Sequence, residues 1–321
     1  MAERESPALR PPLPRNRLQI LLSFGIAAAA LVYVARHLDA RAVWAGVRAA
    51  DLRWFLLGFG LFYLSLPLRA WRWQILLTNA GDRVGMGILT RTVFRAWFVN
   101  CALPGRGGDL YSAYLLHKEA GLGLVRTGGT IFTSRVLDLL TLIALLAWIF
   151  LADFRERLAG DVAQLVYTGL ILGGVLVLGL ATLALLRGRL ARRLPPRYAG
   201  YLENFSHGLF ASLGKLPLLL LSTLALWLLE AARLGCVLAA VGAPAAPDRV
   251  AFLALAAAIV TTLPLTPGGL GTVEALFAEL FPRLGIAAAV SGSAIFLDRF
   301  INYWFILLAG LVYVVVTRGR H

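Results

Sequence analysis

The sequence predicts an all-α, polytopic membrane protein with about six full transmembrane helices and two re-entrant hairpins broken by glycine and proline. Composition is the first ground. Of 321 residues, 59% are hydrophobic, and mean hydropathy is +0.76, whereas soluble domains hold roughly 45–50% apolar residues. The second ground is length, because apolar runs recur at the size that crosses a bilayer as a helix, about 20 residues. The third is a pair of breaker clusters, Leu103-Pro104-Gly105-Arg106-Gly107-Gly108-Asp109 and Leu263-Pro264-Leu265-Thr266-Pro267-Gly268-Gly269-Leu270-Gly271. Such clusters end helices. Within a membrane they are costly, because each freed backbone N–H and C=O needs a partner away from lipid.

The elements follow in order. Residues 1–17 are rich in proline and arginine and read as a disordered cytoplasmic tail. A single transmembrane domain over 18–316 follows, and 317–321 form a second short tail. Leu18–Ala35 is the first span. Arg36–Arg53 is amphipathic and interfacial. Trp54–Trp73 is the second span, and its end, Arg69-Ala70-Trp71-Arg72-Trp73, reads as an aromatic belt with snorkelling arginines. Hairpin 1 covers about 84–120: an apolar limb from Val84, the first break, and a short limb, Asp109–Ala120, about 18 Å as a helix and too short to cross. Thr127–Ala152 and Val162–Leu186 are spans, Arg187–Arg197 a basic loop, Tyr201–Gly214 an amphipathic segment, and Leu216–Val241 a further span. Hairpin 2 covers about 250–282. Ile286–Val316 is the last span, interrupted by Asp298, Arg299 and Asn302.

Charge orients this arrangement. With the N-terminus inside, cytoplasmic segments carry 17 Lys and Arg and outside segments 8. The positive-inside rule therefore puts both termini in the cytoplasm. Hairpin 1 then enters from the cytoplasm and hairpin 2 from outside. Pro104 lies 31 residues before Arg135, and Pro267 lies 32 before Arg299. Asp109 lies 26 before Arg135, and Glu274 lies 25 before Arg299. These matched spacings read as a divergent inverted repeat, an architecture that serves alternating access; coincidence among glycine-rich turns is the competing explanation.

Net charge is +14, and only Lys118 and Lys215 among the 31 basic residues are lysines. The basic residues are scattered at span ends, which favours anionic lipid headgroups as partners and disfavours nucleic acid. Cys101 and Cys236 both fall in apolar segments and read as buried thiols. No P-loop, His-Glu-x-x-His pair or Gly-x-Ser-x-Gly elbow occurs, and the four histidines are dispersed. Nothing local asks for catalysis, a metal or another cofactor.

Charges inside a bilayer cost roughly 2.5–3.5 kcal/mol each, so they face a cavity or a partner. Arg135 and Asp138 lie three apart on one helix face, as do Glu230 and Arg233, and Asp298 shares a face with Asn302 beside Arg299. One reading has each arginine–carboxylate pair neutralise itself and fix packing. The other has Arg135 and Arg299 hold a lipid phosphate at mid-membrane, a task that suits the planar guanidinium fork. The helix start after each break adds free N–H groups and a positive dipole end. Gly107, Gly108, Gly268, Gly269 and Gly271 would let a headgroup approach backbone, with Arg106 adding charge. Asp109 and Glu274 would cap those helix starts or meet a cationic headgroup. Arg95 stands either as an interface anchor or as a further ligand.

On these residues the chain resembles a known family. Arg95, Asn100, Leu103 to Asp109 with Tyr111 and Tyr114, the Ser134-Arg135-x-x-Asp138 segment, and Thr266 to Gly271 with Glu274 are similar to the flippase-like membrane domain of bacterial lysylphosphatidylglycerol synthases. The resemblance covers about residues 15–317. It implies movement of a phosphate-bearing lipid, aminoacylated or glycosylated in some members, between leaflets. The family's soluble aminoacyl-transferase domain has no counterpart in these residues, so synthesis of lysyl-lipid is not expected and the cargo is open. A lipid flippase is the leading expectation. The alternatives are a membrane-embedded lipid-modifying transferase and a subunit that presents lipid to a lipid-synthesis enzyme.

Overall fold

The computed structural model describes residues 17–37, 39–104, 107–154, 160–262 and 266–318, which are helical almost throughout and include no strand. The tails therefore lie outside the described residues except for Arg17, Thr317 and Arg318. So do Gly105, Arg106, Arg155, Arg157 and Leu263 to Leu265. Thirteen α-helices appear among the described residues. Among the described residues five helices or helix runs are long and apolar enough to cross a membrane: Leu52–Asn79, Leu124–Ala152, Val166–Arg193, Pro196–Ala240 and Val290–Val316. A sixth results when Leu21–Arg36 and Ala40–Ala49 are taken together. The expectation of an all-α polytopic protein holds.

Helix α1 (Arg17–His37) leads to α2 (Ala40–Ala49), whose N-terminus is capped by Asp39 accepting from the Arg41 N–H at 2.8 Å. The amphipathic α2 packs on α12 (Ala288–Arg299), and Ser293 donates to the Val43 carbonyl. Asp51 caps α3 (Leu52–Asn79) in the same manner, accepting from the Arg53 N–H at 2.8 Å. This helix runs through Pro67 and six residues beyond the expected end at Trp73. It lies along α9 (Leu216–Ala240) in the most extensive helix pair of the fold. The Asp51 N–H donates to the Ala240 carbonyl at one end, and Asn79 donates to the Ser212 carbonyl at the other. The two helices are therefore antiparallel.

Helices α4 (Met86–Ala102) and α5 (Gly107–Ala120) form the first hairpin. Helix α5 begins two residues earlier than expected, so Gly107 and Gly108 belong to its first turn and not to the break. Gly108 is required by close approach: a Cβ there would stand 2.1 Å from the Ala96 carbonyl oxygen of α4. Helices α10 (Pro247–Thr262) and α11 (Thr272–Arg283) form the second hairpin, joined through a short turn at Pro267–Gly269. Gly268 and Gly269 in this turn, and Gly271 just before α11, all have positive φ, at 54°, 72° and 81°, the region that side chains with a Cβ rarely enter. At Gly271 a Cβ would also meet the Ala27 carbonyl oxygen at 2.6 Å, which is how α11 seats against α1.

Helix α6 (Leu124–Ile149) follows hairpin 1. The segment after hairpin 2 is α12, one turn of π-helix over Phe300–Trp304, and α13 (Phe305–Arg318). Helix α7 (Asp161–Arg193) lies at the periphery and is the least buried of the spanning helices. Its length corrects one expectation. Residues 187–193 are helical, not a loop, because arginine is a good helix former, the single Gly188 costs only about 1 kcal/mol, and no proline occurs before Pro195. Helix α8 (Pro196–Ala211) then crosses α6 at near backbone contact: a Cβ on Gly129 would lie 2.4 Å from the Phe205 carbonyl oxygen, and one on Gly208 would lie 2.1 Å from that of Arg126. Gly129→Val is expected to lower stability by about 1–3 kcal/mol, the usual cost of overpacking, read as a shifted unfolding midpoint in detergent. Gly128→Val, where no atom stands within 4 Å of the added Cβ, is the control.

Candidate functional site

Ten charged side chains from both halves of the chain converge between the hairpins. The structure pairs them differently from the sequence reading. Arg135 on α6 reaches back to Asp109 in the first turn of α5 with two bonds, Nε to Oδ2 at 2.9 Å and Nη2 to Oδ1 at 2.5 Å. It lies 3.8 Å from Asp138, its neighbour three residues on. Asp138 instead accepts two bonds from Arg72 of α3, at 2.5 and 3.0 Å, and Arg72 also donates to Thr223 and Ser134. Arg72 is 2% exposed, which overturns its reading as a snorkelling interface residue: α3 continues to Asn79 and carries Arg72 into the interior.

The second half repeats this scheme. Arg299, at the end of α12, meets Glu274 in the first turn of α11, with Nε to Oε1 at 3.1 Å and Nη2 to Oε2 at 3.2 Å. It also donates to the Gly269 carbonyl at 3.0 Å, capturing a carbonyl of the break. Asp298 faces away from Arg299 and accepts from Arg233 of α9 and from Asn302 at 2.8 Å. Asp298 and Arg299 therefore do not neutralise each other; adjacent residues on a helix point about 100° apart. Glu230 joins the halves, accepting from Arg69 of α3 at 2.9 Å and from Arg233 at 3.1 Å. Asp109 and Glu274 thus pair with arginines besides opening their helices.

Two cavities lie in this network. The larger, of about 160 Å³, is lined by Arg69, Arg135, Asp138, Glu230, Arg233, Asp298, Arg299 and Asn302. Thr261, Thr262, Thr266 and Gly268 of the second hairpin line it too, as do Trp97 and Trp227. The smaller, of about 80 Å³, lies toward the first hairpin and is lined by Arg72, Asp109, Ser112 and Ser134 among others. Trp227 is 9% exposed, and its indole N–H finds no hydrogen-bond partner among the described residues.

Of the residues singled out in the sequence, Arg135, Asp138, Asp298, Arg299, Asn302 and Gly268 line the larger cavity. Asp109 lines the smaller one, and Glu274 stands behind Arg299. Gly107, Gly108, Gly269 and Gly271 shape the backbone behind the cavities without lining either. At Gly108 the helix-start N–H donates to Asn100 Oδ1 at 2.9 Å, so that donor is already engaged. Arg95 lines neither cavity; it bonds Glu119 at 2.5 Å and Tyr313 at 2.6 Å. Arg106 lies outside the described residues. Arg69, Arg72, Glu230 and Arg233 are the charged residues that the sequence reading left out of the site. A signal was present: Arg69 and Arg72 repeat, at a 161-residue offset, the i, i+3 spacing of Glu230 and Arg233. Among the described residues no cluster of three His, Cys, Asp or Glu could hold a metal ion, and Cys101 and Cys236 are both free and buried.

Comparison with known proteins agrees with this architecture. The chain is 27% identical over 224 residues to the UPF0104 membrane protein MJ1078 of Methanocaldococcus jannaschii, covering 69% of this chain and 95% of that protein. It is 24% identical over 310 residues to the UPF0104 membrane protein PH1989 of Pyrococcus horikoshii, covering 86% and 92%. It is also 27% identical over 333 residues to the glycosyltransferase AglD of Haloferax volcanii, covering 89% of this chain but 53% of that protein. The family model described as the lysylphosphatidylglycerol synthase TM region matches residues 20–310, and the chain, a multi-pass membrane protein, belongs to that family.

Proposed function

We propose that this protein is a lipid transporter that moves a phosphate-bearing lipid between leaflets, with the headgroup in the arginine-walled cavities and the acyl chains in the bilayer. One observation carries the reading. Arg135 and Arg299 each make two contacts with the carboxylate that opens the helix after a glycine break, 26 and 25 residues upstream, and both side chains line one cavity. Limb lengths support it. Helices α5 and α11, with 14 and 12 residues, measure about 21 and 18 Å, short of the roughly 30 Å hydrocarbon core. On this reading both hairpins are re-entrant and enter from opposite faces as an inverted repeat, with both termini in the cytoplasm. No ATP-binding motif occurs in the sequence, so transport is facilitated or ion-coupled.

The test is leaflet exchange of labelled anionic phospholipid in liposomes containing the purified protein. Wild type is expected to exchange lipid, and Arg135→Ala to lose most of that rate while remaining folded and inserted. Equal loss of folded protein would instead assign Arg135 a structural role. The similarity to the glycosyltransferase AglD favours a second reading, a membrane-embedded transferase using Asp109, Asp138, Glu274 or Asp298. New lipid product from candidate donor and acceptor would sink the pure transporter reading.

A further inference from the structure

Arg69 stands where the two cavities meet. Five residues line both: Arg69, Trp97, Asn100, Arg135 and Asp138. The Arg69 guanidinium lies over the Trp97 ring, its Cζ 4.8 Å from the centroid, so the fork is held in plane by cation–π contact. One Nη donates to Glu230 at 2.9 Å. Its Nε is buried without a hydrogen-bond partner among the described residues, and an unpaired buried donor is costly in a protein interior.

The energetics of release separate Arg69 from the other arginines. Withdrawing Arg72 would strip Asp138 of both hydrogen bonds that Arg72 donates to it, with Arg135 no nearer than 3.8 Å. Withdrawing Arg233 would leave Asp298 with the Asn302 amide. Glu230, by contrast, keeps Arg233 at 3.1 Å when Arg69 leaves, and Arg233 keeps Asp298. Arg69 is thus a cation that the network can give up without stranding a carboxylate. Arg72 also has an unpaired Nε, but three side chains hold its two Nη groups and it lines only the smaller cavity.

We propose that Arg69 is an anion-binding residue for a phosphate group passing between the cavities, and that Glu230 is the internal competitor that occupies the guanidinium when no phosphate is bound. The planar fork suits two phosphate oxygens, and the Trp97 face fixes the edge that is offered to them. The assignment rests on reading the cavities as a lipid path.

The test is calorimetric titration of the full chain in maltoside micelles, which contain no phosphate. The probes are dihexanoyl phosphatidic acid and inorganic phosphate. Arg69→Gln is expected to weaken binding about tenfold to a hundredfold, as for loss of a charge-assisted hydrogen bond. Arg69→Lys, which keeps the charge without the fork, is expected to fall between. Glu230→Gln is expected to tighten binding severalfold, because the competing charge is gone while Arg233 keeps Asp298. A merely structural Arg69–Glu230 pair would move both substitutions in the same direction, and that result would overturn the assignment. So would failure of both probes to bind wild type. If Arg69→Gln does not fold, the sign of the Glu230→Gln effect decides alone. Tighter binding of the short-chain lipid assigns the phosphate to a headgroup, and tighter binding of the inorganic ion assigns it to free phosphate. Because micelles support binding but not exchange, binding through Arg69 without leaflet exchange would overturn the transporter reading and leave this site standing.

Discussion

Replacing Arg72 with methionine is expected to destabilise the fold by about 3–5 kcal/mol, the cost of breaking a buried ion pair from one side. Arg72 and Asp138 are 2% and 8% exposed, and the guanidinium makes four hydrogen bonds, two of them to Asp138. Its loss leaves Asp138 charged in an interior where Arg135, 3.8 Å away and already engaged by Asp109, compensates only in part. Against a typical total stability of roughly 5–15 kcal/mol, this is enough to lower the yield of folded protein. Asp138→Leu alone is expected to cost a similar amount, because it strands Arg72. The double substitution Arg72→Met with Asp138→Leu is expected to recover most of the loss, since well-packed apolar replacements of a buried pair are often neutral or better. Denaturant titration in mixed micelles measures all three. Additive losses in the double variant would show that the two side chains do not act as a pair.

The second large effect is all-or-none. On the inverted-repeat reading, a cysteine replacing Lys118 at the end of α5 is expected to react with a membrane-impermeant maleimide only from the cytoplasmic side. One replacing Arg283 at the end of α11 is expected to react only from outside. Both positions are exposed, and the native cysteines, 3% and 7% exposed, contribute little background. Helices α3 and α9 are antiparallel and each precedes one hairpin; on this reading each hairpin returns to the face it left, so the two open to opposite sides. Labelling of both cysteines from one side would exclude opposed hairpins.

Much of the fold was legible because transmembrane helices announce themselves by length and apolarity alone. The two breaks were legible because no other part of the chain clusters glycine and proline so densely. Element ends were less so. Helix α7 continued through Arg187 to Arg193 since arginine does not disfavour helix, and α3 continued past Trp73 for the same kind of reason: flanking tryptophans imitate an interface. In the site, the sequence placed Arg135, Asp138, Asp298, Arg299 and Asn302 at the cavity because charge in an apolar span has few other places to go. It mispaired them because spacing along one helix says nothing about which neighbouring helix offers a closer carboxylate. Asp138 found Arg72, 66 residues away, and Asp298 found Arg233, 65 residues away. Such partners are fixed by helix packing, and the only trace in one dimension was the repeated i, i+3 spacing in α3 and α9.

The π-helical turn at Phe300–Trp304 ties hairpin 1 to the segment whose Arg299 holds hairpin 2. The Tyr303 hydroxyl, on that turn, donates to the Cys101 carbonyl at 3.0 Å, immediately before the first break, while Tyr63 of α3 donates to the Ile301 carbonyl at 3.2 Å. The tip of hairpin 1 is thus leashed to the same short segment that follows Asp298 and Arg299. Either the tip drags this turn with it when it shifts, or a hydrogen bond worth about 1 kcal/mol net must part. A leash of that strength transmits small displacements yet lets go under large ones, so it sets a threshold between the two hairpins moving as one body and moving apart.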